Sequence, residues 1–379
     1  MKNLKTLYKI LLLHHASHFS GAENSLLHLA ARLDRQKFRP IFMSPGNGEF
    51  EKKLKENKIQ HFSHQFGRNR EILNAIKSIQ KICQLARYFK IDLIHSNGPQ
   101  TNIPAALAGR WLGIPVIWHA RNLITKGKLD VDKMAGFLPQ KILCNSEAIK
   151  SRFKGMKAEK IAKTVINGVD LQDYDPTILS SEIRETFGIP LTAIVLGMTS
   201  RLSKEKGHIT LFKAMARLRN RYPNLWAFIV GGNVFERDAY FPDFLKKKAF
   251  EFGIADRTVF TGFRDDVARL YAGMDIFILA TNAEPCGRVI FEAMAMKKPV
   301  IGTSNGGTPE IVINEQTGLL YNYGNAEELE TKVDYLLQNP DAREKMGSAG
   351  RKRIENYFTI EKNVKATEIE YITLLEEKK

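Results

Sequence analysis

Short apolar runs of strand length alternate with segments of helical apolar spacing, and the alternation runs through the chain twice. In the first half the runs are "YKILLLHH", "RPIFMSP", "IDLIHSN", "IPVIWHAR" and "KILCNS", each ending in polar or small residues. Between them "GAENSLLHLAARL" and "RNREILNAIKSIQKICQLARYFK" carry helical spacing. The second half repeats the plan from "TAIVLGMTSRL", through the helical "HITLFKAMARLRNRY", to "LWAFIVGG", "TVFTGF", "DIFILAT" and "KPVIGTS". The expectation is an α/β protein of two doubly wound parallel sheets whose strands present their carboxyl ends to a cleft between them. A length of 379 residues suits two domains. The Gly-, Asn- and Asp-rich segment "VINGVDLQDYDP" is the natural hinge, which sets an N-terminal domain at 1–170 and a second domain at 171–360, followed by a last helix at 361–379.

Composition closes off other classes. With 44% hydrophobic and 26% charged residues and no low-complexity tract, the chain is a folded protein rather than a disordered one. Cys83, Cys144 and Cys286 are odd in number and free of CxxC spacing, which argues against a disulfide framework or a cysteine zinc site and fits a reducing, cytoplasmic setting. The start carries Lys2, Lys5 and Lys9 before Ile10 to Leu13, yet His14 and His15 interrupt the apolar run, so it reads as a first buried strand and not as an export signal. No stretch reaches about 18 uninterrupted apolar residues, the length of a membrane span.

The net charge of +16 is unevenly placed. Residues 1–170 hold 29 Lys and Arg against 12 Asp and Glu, a net of +17, and the remainder has a net of −1. One half is expected to meet something anionic, and the other has no such need.

The second half carries the more specific chemistry. Arg201 and Lys206, in "RLSKEKGH", lie between a strand and a helix, where two cations and a helix amino terminus form an anion site, most simply for a diphosphate. In "NAEPCGRVIFEAMAMKKPVI", Glu284 and Glu292 bracket a turn with Pro285 and Gly287. Gly287 admits a close backbone approach, and the amides of Arg288 and Val289 open a helix behind it. Glu292, set among apolar residues, is either a buried ion-pair partner or an acceptor for ligand hydroxyls. Glu284 is either a ligand contact or a helix cap. The turn "NGGTPEIV" is either structural or a wall of the same site.

The order R-x4-K, then E-x7-E within "EPCGRVIFEAMA", then "PVI", "GGTPEIV" and "TGLL", resembles the donor-binding half of the retaining nucleotide-sugar glycosyltransferases of family 4, which have the GT-B fold. The likeness is close over roughly 190–350 and looser in the first half. It implies that Glu284 contacts the transferred sugar and Glu292 the ribose, and that Arg201 and Lys206 stabilise the departing diphosphate. It places base contacts at Phe263 and the backbone from Gly262 to Arg264, with uracil and guanine both open. Where the family usually has Phe, this chain has Cys286, better read as a small hydrophobe than as a nucleophile. Gly21 of "SGAE", preceded by Ser20 and followed by Glu23, is implied to face the donor diphosphate. His119, among the competing strand-end residues His14, His15, His18 and His95, is implied to lie near the reacting sugar, with Arg121 and Asn122 as acceptor contacts. The resemblance further implies retention at the anomeric carbon and a last helix that returns to the first domain.

No Asp-x-Asp cluster or His/Cys metal spacing is present, so the expectation is catalysis without a cofactor or metal, on a UDP- or GDP-linked donor. The segment 68–90 carries Arg68, Arg70, Lys77, Lys81, Arg87 and Lys90, with Ile72, Ile76, Ile79 and Phe89 at helical spacing. That stripe either packs on the first sheet or, together with "KSRFKGMKAEKIAK" at 150–163, serves an anionic membrane surface on the inner face, as would suit a glycan or lipid-linked acceptor. Two competing readings are a sugar-nucleotide epimerase or hydrolase of the same fold and a nucleic-acid-binding protein. The second leaves the second-half motifs unexplained and lacks a recognition signature.

Overall fold

The computed structural model describes residues 7–16, 21–67, 71–124, 130–233 and 236–377. Lys2, Lys5, His18, Ser20, Arg68 and Arg70 lie outside the described residues. The chain divides into two compact units, residues 1–168 with 360–379, and residues 169–359.

The first unit is a seven-stranded sheet of β1 (Tyr8–His14), β2 (Phe38–Ser44), β3 (Gln60–Ser63), β4 (Leu93–Asn97), β5 (Val116–Ala120), β6 (Lys141–Cys144) and β7 (Ala162–Thr164). The spatial order is β3-β2-β1-β4-β5-β6-β7, and every pair is parallel. The second unit has β8 (Ile194–Thr199), β9 (Leu225–Val230), β10 (Thr258–Phe260), β11 (Ile276–Leu279), β12 (Val300–Thr303) and β13 (Gly318–Tyr321) in the order β10-β9-β8-β11-β12-β13, again all parallel. Each sheet therefore reverses direction once, between β1 and β4 and between β8 and β11, and the loops after those strands diverge to leave a place for a ligand.

The apolar runs are continuous because each central strand is covered on both faces. In β1, Leu11 and Leu13 join one core with Ile41, Met43, Ile94 and Trp118, while Ile10 and Leu12 join another with Phe42, Leu93, Ile117 and Leu143. Alternate residues thus serve opposite faces, and each fully buried Leu or Ile contributes roughly 2 kcal/mol.

The second of these cores is closed by the helix Gly21–Arg32 and by the terminal helix Ile360–Glu377 through Ile360, Val364, Tyr371, Leu374 and Leu375. Polar pins hold the terminal helix in register. Asn363 Nδ2 donates to the Ile166 carbonyl at 2.7 Å, Glu368 Oε1 accepts from the Asp34 amide at 2.7 Å, and Glu370 pairs with Lys141 at 3.1 Å. The boundary at 168/169 falls within the Gly-Asn-Asp segment, and Val169 pairs with Thr359, where the chain leaves the second unit.

The helix Ile72–Phe89 corrects one reading of its stripe. The buried residues are Ser78, Ile82, Cys83, Leu85 and Ala86, whereas Ile72 is 72% exposed and Ile76 is also exposed. Ile79 and Phe89 pack partly against the core. The spacing identified a helix but not which turns of it the sheet would cover, because cover depends on where the neighbouring helix Pro99–Leu112 lies.

Candidate functional site

In the second unit, the loops after β8 and β11 meet at the reversal point of the sheet. Lys206 closes a short 3-10 turn, Lys204–Lys206, and Gly207 follows with φ 77° before the helix His208–Leu218. A Cβ on Gly207 would lie 2.0 Å from the Ala280 carbonyl oxygen, so only glycine lets this loop lie against the end of β11. That contact brings Lys206 to Glu284, Nζ to Oε2 at 3.0 Å, with 17% and 18% of the two side chains exposed. Arg201, at the exit of β8, lies with Nη2 3.7 Å from Glu205 Oε1.

The backbone of Glu284 is held from the other side. The Gly307 amide donates to the Glu284 carbonyl at 2.8 Å, Glu284 and Gly306 form a bridge, and Gly306 has φ 65° with a Cβ position 2.4 Å from that same carbonyl oxygen. The "NGG" turn is thus a structural clamp on Glu284. Glu284 is not a helix cap, since the cap position of Arg288–Ala295 belongs to Gly287 and no side chain caps that helix. Arg288 and Val289 form its first turn at half-buried positions. Cys286 is a buried thiol outside any disulfide, as are Cys83 and Cys144, and burial pushes the Cys144 thiol up to about 12.

Glu292 is 8% exposed. Its Oε2 accepts from the Tyr271 hydroxyl at 3.0 Å, and its Oε1 lies 3.5 Å from Arg288 Nη2. Tyr271 stands 6.2 Å from Tyr174, ring to ring. Burial, followed by the Glu292 charge, pushes both phenols up, so both stay protonated as donors. The sequence reading missed these two tyrosines, because nothing local marks Tyr271, 21 positions away, or the still more distant Tyr174 as a carboxylate's partner. It also missed His208, whose adjacency to Lys206 was a usable signal. His208 Nε2 lies 3.1 Å from Ser200 Oγ, and burial, then Lys206, lowers its imidazole to about 3. Phe263 is 63% exposed beyond β10, beside the Gly231 to Gly262 bridge, so it is a surface ring and not a core one. Arg264 is held by Asp266 at 2.8 Å.

In the first unit the strand ends carry a buried polar network. Gly21 opens its helix at an exposed position, but Glu23 turns inward, with Oε1 2.6 Å from His14 Nε2. Arg121 Nε donates to Asn97 Oδ1 at 2.6 Å, Nη1 to Asn167 Oδ1 at 2.9 Å and Nη2 to His119 Nδ1 at 3.2 Å. Its guanidinium therefore orders three strand-end residues of its own unit. Asn122 is exposed, and its carbonyl accepts from Arg152 at 2.7 Å. His119 is buried in β5, and burial, then the charge of Arg121, holds it far below the ordinary histidine range, so the ring is neutral at pH 7. Among the described residues, no group of three or more His, Cys, Asp or Glu is placed to hold a metal ion, and no helix is long and apolar enough to cross a membrane.

Comparison with known proteins matches both halves. The family model "Glycosyltransferase Family 4" matches residues 19–173, and "Glycosyl transferases group 1" matches residues 180–353. YtcC of Bacillus subtilis (strain 168) is 32% identical over 58% of this chain and 56% of its own length. The capsular polysaccharide biosynthesis glycosyltransferase CapM of Staphylococcus aureus is 25% identical over 90% of this chain and 92% of its own. For the first curated relatives, the match spans a little over half of their length. Anabaena Alr3699/HepE, crystallised in complex with UDP, superposes with a TM-score of 0.86 at 25% identity, covering 96% of this chain and 100% of that one. With one family model on each half of the chain, two parallel α/β sheets and this structural match, the chain belongs to glycosyltransferase family 4 and has the GT-B fold.

Proposed function

We propose that the protein is a retaining, metal-independent glycosyltransferase that moves a hexose-type sugar from a UDP- or GDP-sugar to a glycan or lipid-linked acceptor, in cell-surface polysaccharide or lipopolysaccharide synthesis. The observation that carries this reading is the Lys206 to Glu284 pair at the sheet's reversal point. A sugar nucleotide joins a sugar to a diphosphate through one oxygen, so its recognition needs a carboxylate for hydroxyls directly beside a cation for phosphate. Breaking the sugar–phosphate bond leaves negative charge on the diphosphate. Lys206, Arg201 and the uncapped start of the helix Arg288–Ala295 are fixed donors for that charge, which is the work a divalent ion would otherwise do. Glu292 with its two tyrosines suits ribose hydroxyls, and the exposed Phe263 offers a face for a base. The complex of HepE with UDP supports a uridine donor, and the role of CapM supports a surface polysaccharide product.

The test is a thermal-shift screen against UDP- and GDP-sugars, followed by product isolation with labelled donor. A shift with one nucleotide series and label transferred to an acceptor are expected. An isomerised sugar nucleotide released without acceptor would favour an epimerase, and no shift with either series would end the proposal.

A specific feature supports a membrane-facing role for the first unit. Leu107, Trp111, Met134, Phe137 and Met156 are exposed, as are the cations Arg110, Lys154 and Lys157. Arg110, Phe137 and Lys157 line one shallow depression, so apolar and basic groups interleave there. Cosedimentation with phosphatidylglycerol vesicles, lost on phosphatidylcholine vesicles or at high salt, is the expected result. Equal binding to both, or to neither, would remove this part of the reading.

A further inference from the structure

The register of the first sheet places two histidines on one face. His95 in β4 lies opposite Leu12 and Ile117, and His119 follows Ile117 by two residues, so His95 and His119 share the face that also carries Leu12, Leu93 and Ile117. That is the face covered by the terminal helix, which brings Tyr371 to His95 across 276 positions of sequence. The Tyr371 hydroxyl lies 2.5 Å from His95 Nδ1, His95 Nε2 lies 3.2 Å from His119 Nδ1, and the two imidazole planes differ by 20°. All three side chains are buried.

The direction of this chain of hydrogen bonds follows from Arg121. A guanidinium only donates, so His119 Nδ1, which faces Arg121 Nη2, must accept and carry no proton. A neutral imidazole bare at Nδ1 is protonated at Nε2. His95 Nε2 faces the same bare nitrogen and must donate to it, which leaves His95 Nδ1 bare as well. That nitrogen then accepts from the Tyr371 hydroxyl. His119 Nε2 is buried and has no hydrogen-bond partner among the described residues. A buried N–H without a partner is costly, and within the Tyr371, His95 and His119 chain it is the one donor left unsatisfied among the described residues.

We propose that Tyr371, acting through His95, is a positioning residue for His119, and that Tyr371, His95 and Arg121 together fix His119 as a neutral ring whose Nε2–H is a permanent hydrogen-bond donor to an oxygen of the bound substrate. His119 on this account is not a base, and the terminal helix is a working part of the site as well as a cover for the core. That the oxygen belongs to a sugar rests on the glycosyltransferase reading above. The order of the hydrogen bonds does not.

The experiment uses the full chain labelled with 15N at histidine, recorded by long-range proton–nitrogen correlation, in the wild type and in Tyr371→Phe. Wild-type spectra are expected to show both His95 and His119 protonated at Nε2. In Tyr371→Phe, His95 is expected to populate both tautomers, the His119 nitrogens to shift, and kcat with UDP-glucose to fall about 10-fold with KM changed by less than about 2-fold. A wild-type His119 protonated at Nδ1 overturns the proposal without recourse to any variant. So does a Tyr371→Phe protein that melts earlier but keeps both tautomers and kcat unchanged, since that is the signature of a merely structural tyrosine. If the wild type does not turn over UDP-glucose, the donor assignment fails while the spectra still decide the order of the chain.

Discussion

The two units share a strand order and differ in what they place at its reversal point. The second unit sets a partly exposed ion pair there, Lys206 with Glu284, in the same loop as Arg201, and the exposed ring of Phe263 stands beyond its edge strand. The first sets a buried and mostly neutral network in which Asn97, Asn167 and His119 bond directly to a single guanidinium, that of Arg121, with His14 and His95 one hydrogen bond further out. Net charge runs the other way, since the first half is strongly basic and the second is near neutral. The excess cations of the first half, such as Lys77, Arg110, Lys154 and Lys157, lie at exposed positions and not in its strand-end network. Net charge therefore reports the surface a unit shows to large partners, and a handful of placed charges reports its chemistry.

The comparison breaks most readily at the ion pair. Lys206→Ala and Glu284→Ala are each expected to lower transfer from a UDP-sugar by about 100-fold or more while shifting the melting temperature by only a few degrees, since the pair is near solvent. Near-normal turnover in either variant would move the donor site elsewhere.

Acid titration probes the buried neutral histidines of both units. His95 and His208 are lowered to about 3, and His119 is also lowered, all chiefly by burial. Their folded values lie below their unfolded values, so the unfolded chain binds protons first as pH falls below about 6.5, and each such group lowers stability by up to about 1.4 kcal/mol per pH unit. Urea midpoints should drop between about pH 6 and 4, more weakly in His119→Asn. A flat profile across that window would show that the histidines are not buried neutral.

Smaller effects sharpen the contrast within the second unit. Phe263→Ala is expected to raise KM for the sugar nucleotide about 10-fold with kcat little changed, because a stacking face binds ground state and transition state alike. A drop in kcat at constant KM would give Phe263 a different role. Incubation with EDTA is expected to leave the rate within about 2-fold, given that the cations are supplied by side chains. Activity lost to the chelator and restored by magnesium would refute a metal-free mechanism.

Much of the proposed donor site was legible as local spacing. Arg201 and Lys206 are five residues apart in one loop, and Glu284, Gly287 and Glu292 fall in one turn and the helix behind it, each directly after an apolar run that could only be a strand. The "NGG" turn was legible as a turn, but its use as a clamp on Glu284 was not, because the two segments meet only when β11 and β12 pair. Tyr271 beside Glu292 and Tyr371 beside His95 leave no local trace either. The exposed Ile72 and Ile76 show the same limit from the other direction, since periodicity marks a helical face without saying whether a neighbour arrives to cover it.

The sequence by itself determined the two doubly wound sheets, the uneven charge and the order of the donor motifs, because strand burial on both faces, formal charge and residue spacing are properties of contiguous segments. Tertiary structure alone decided which carboxylate meets which cation, which tyrosine meets which histidine, and hence which nitrogen of His119 holds its proton. Those choices depend on side chains brought within hydrogen-bond reach from distant segments, and hydrogen bonds are directional and short, so they are settled only when the elements dock.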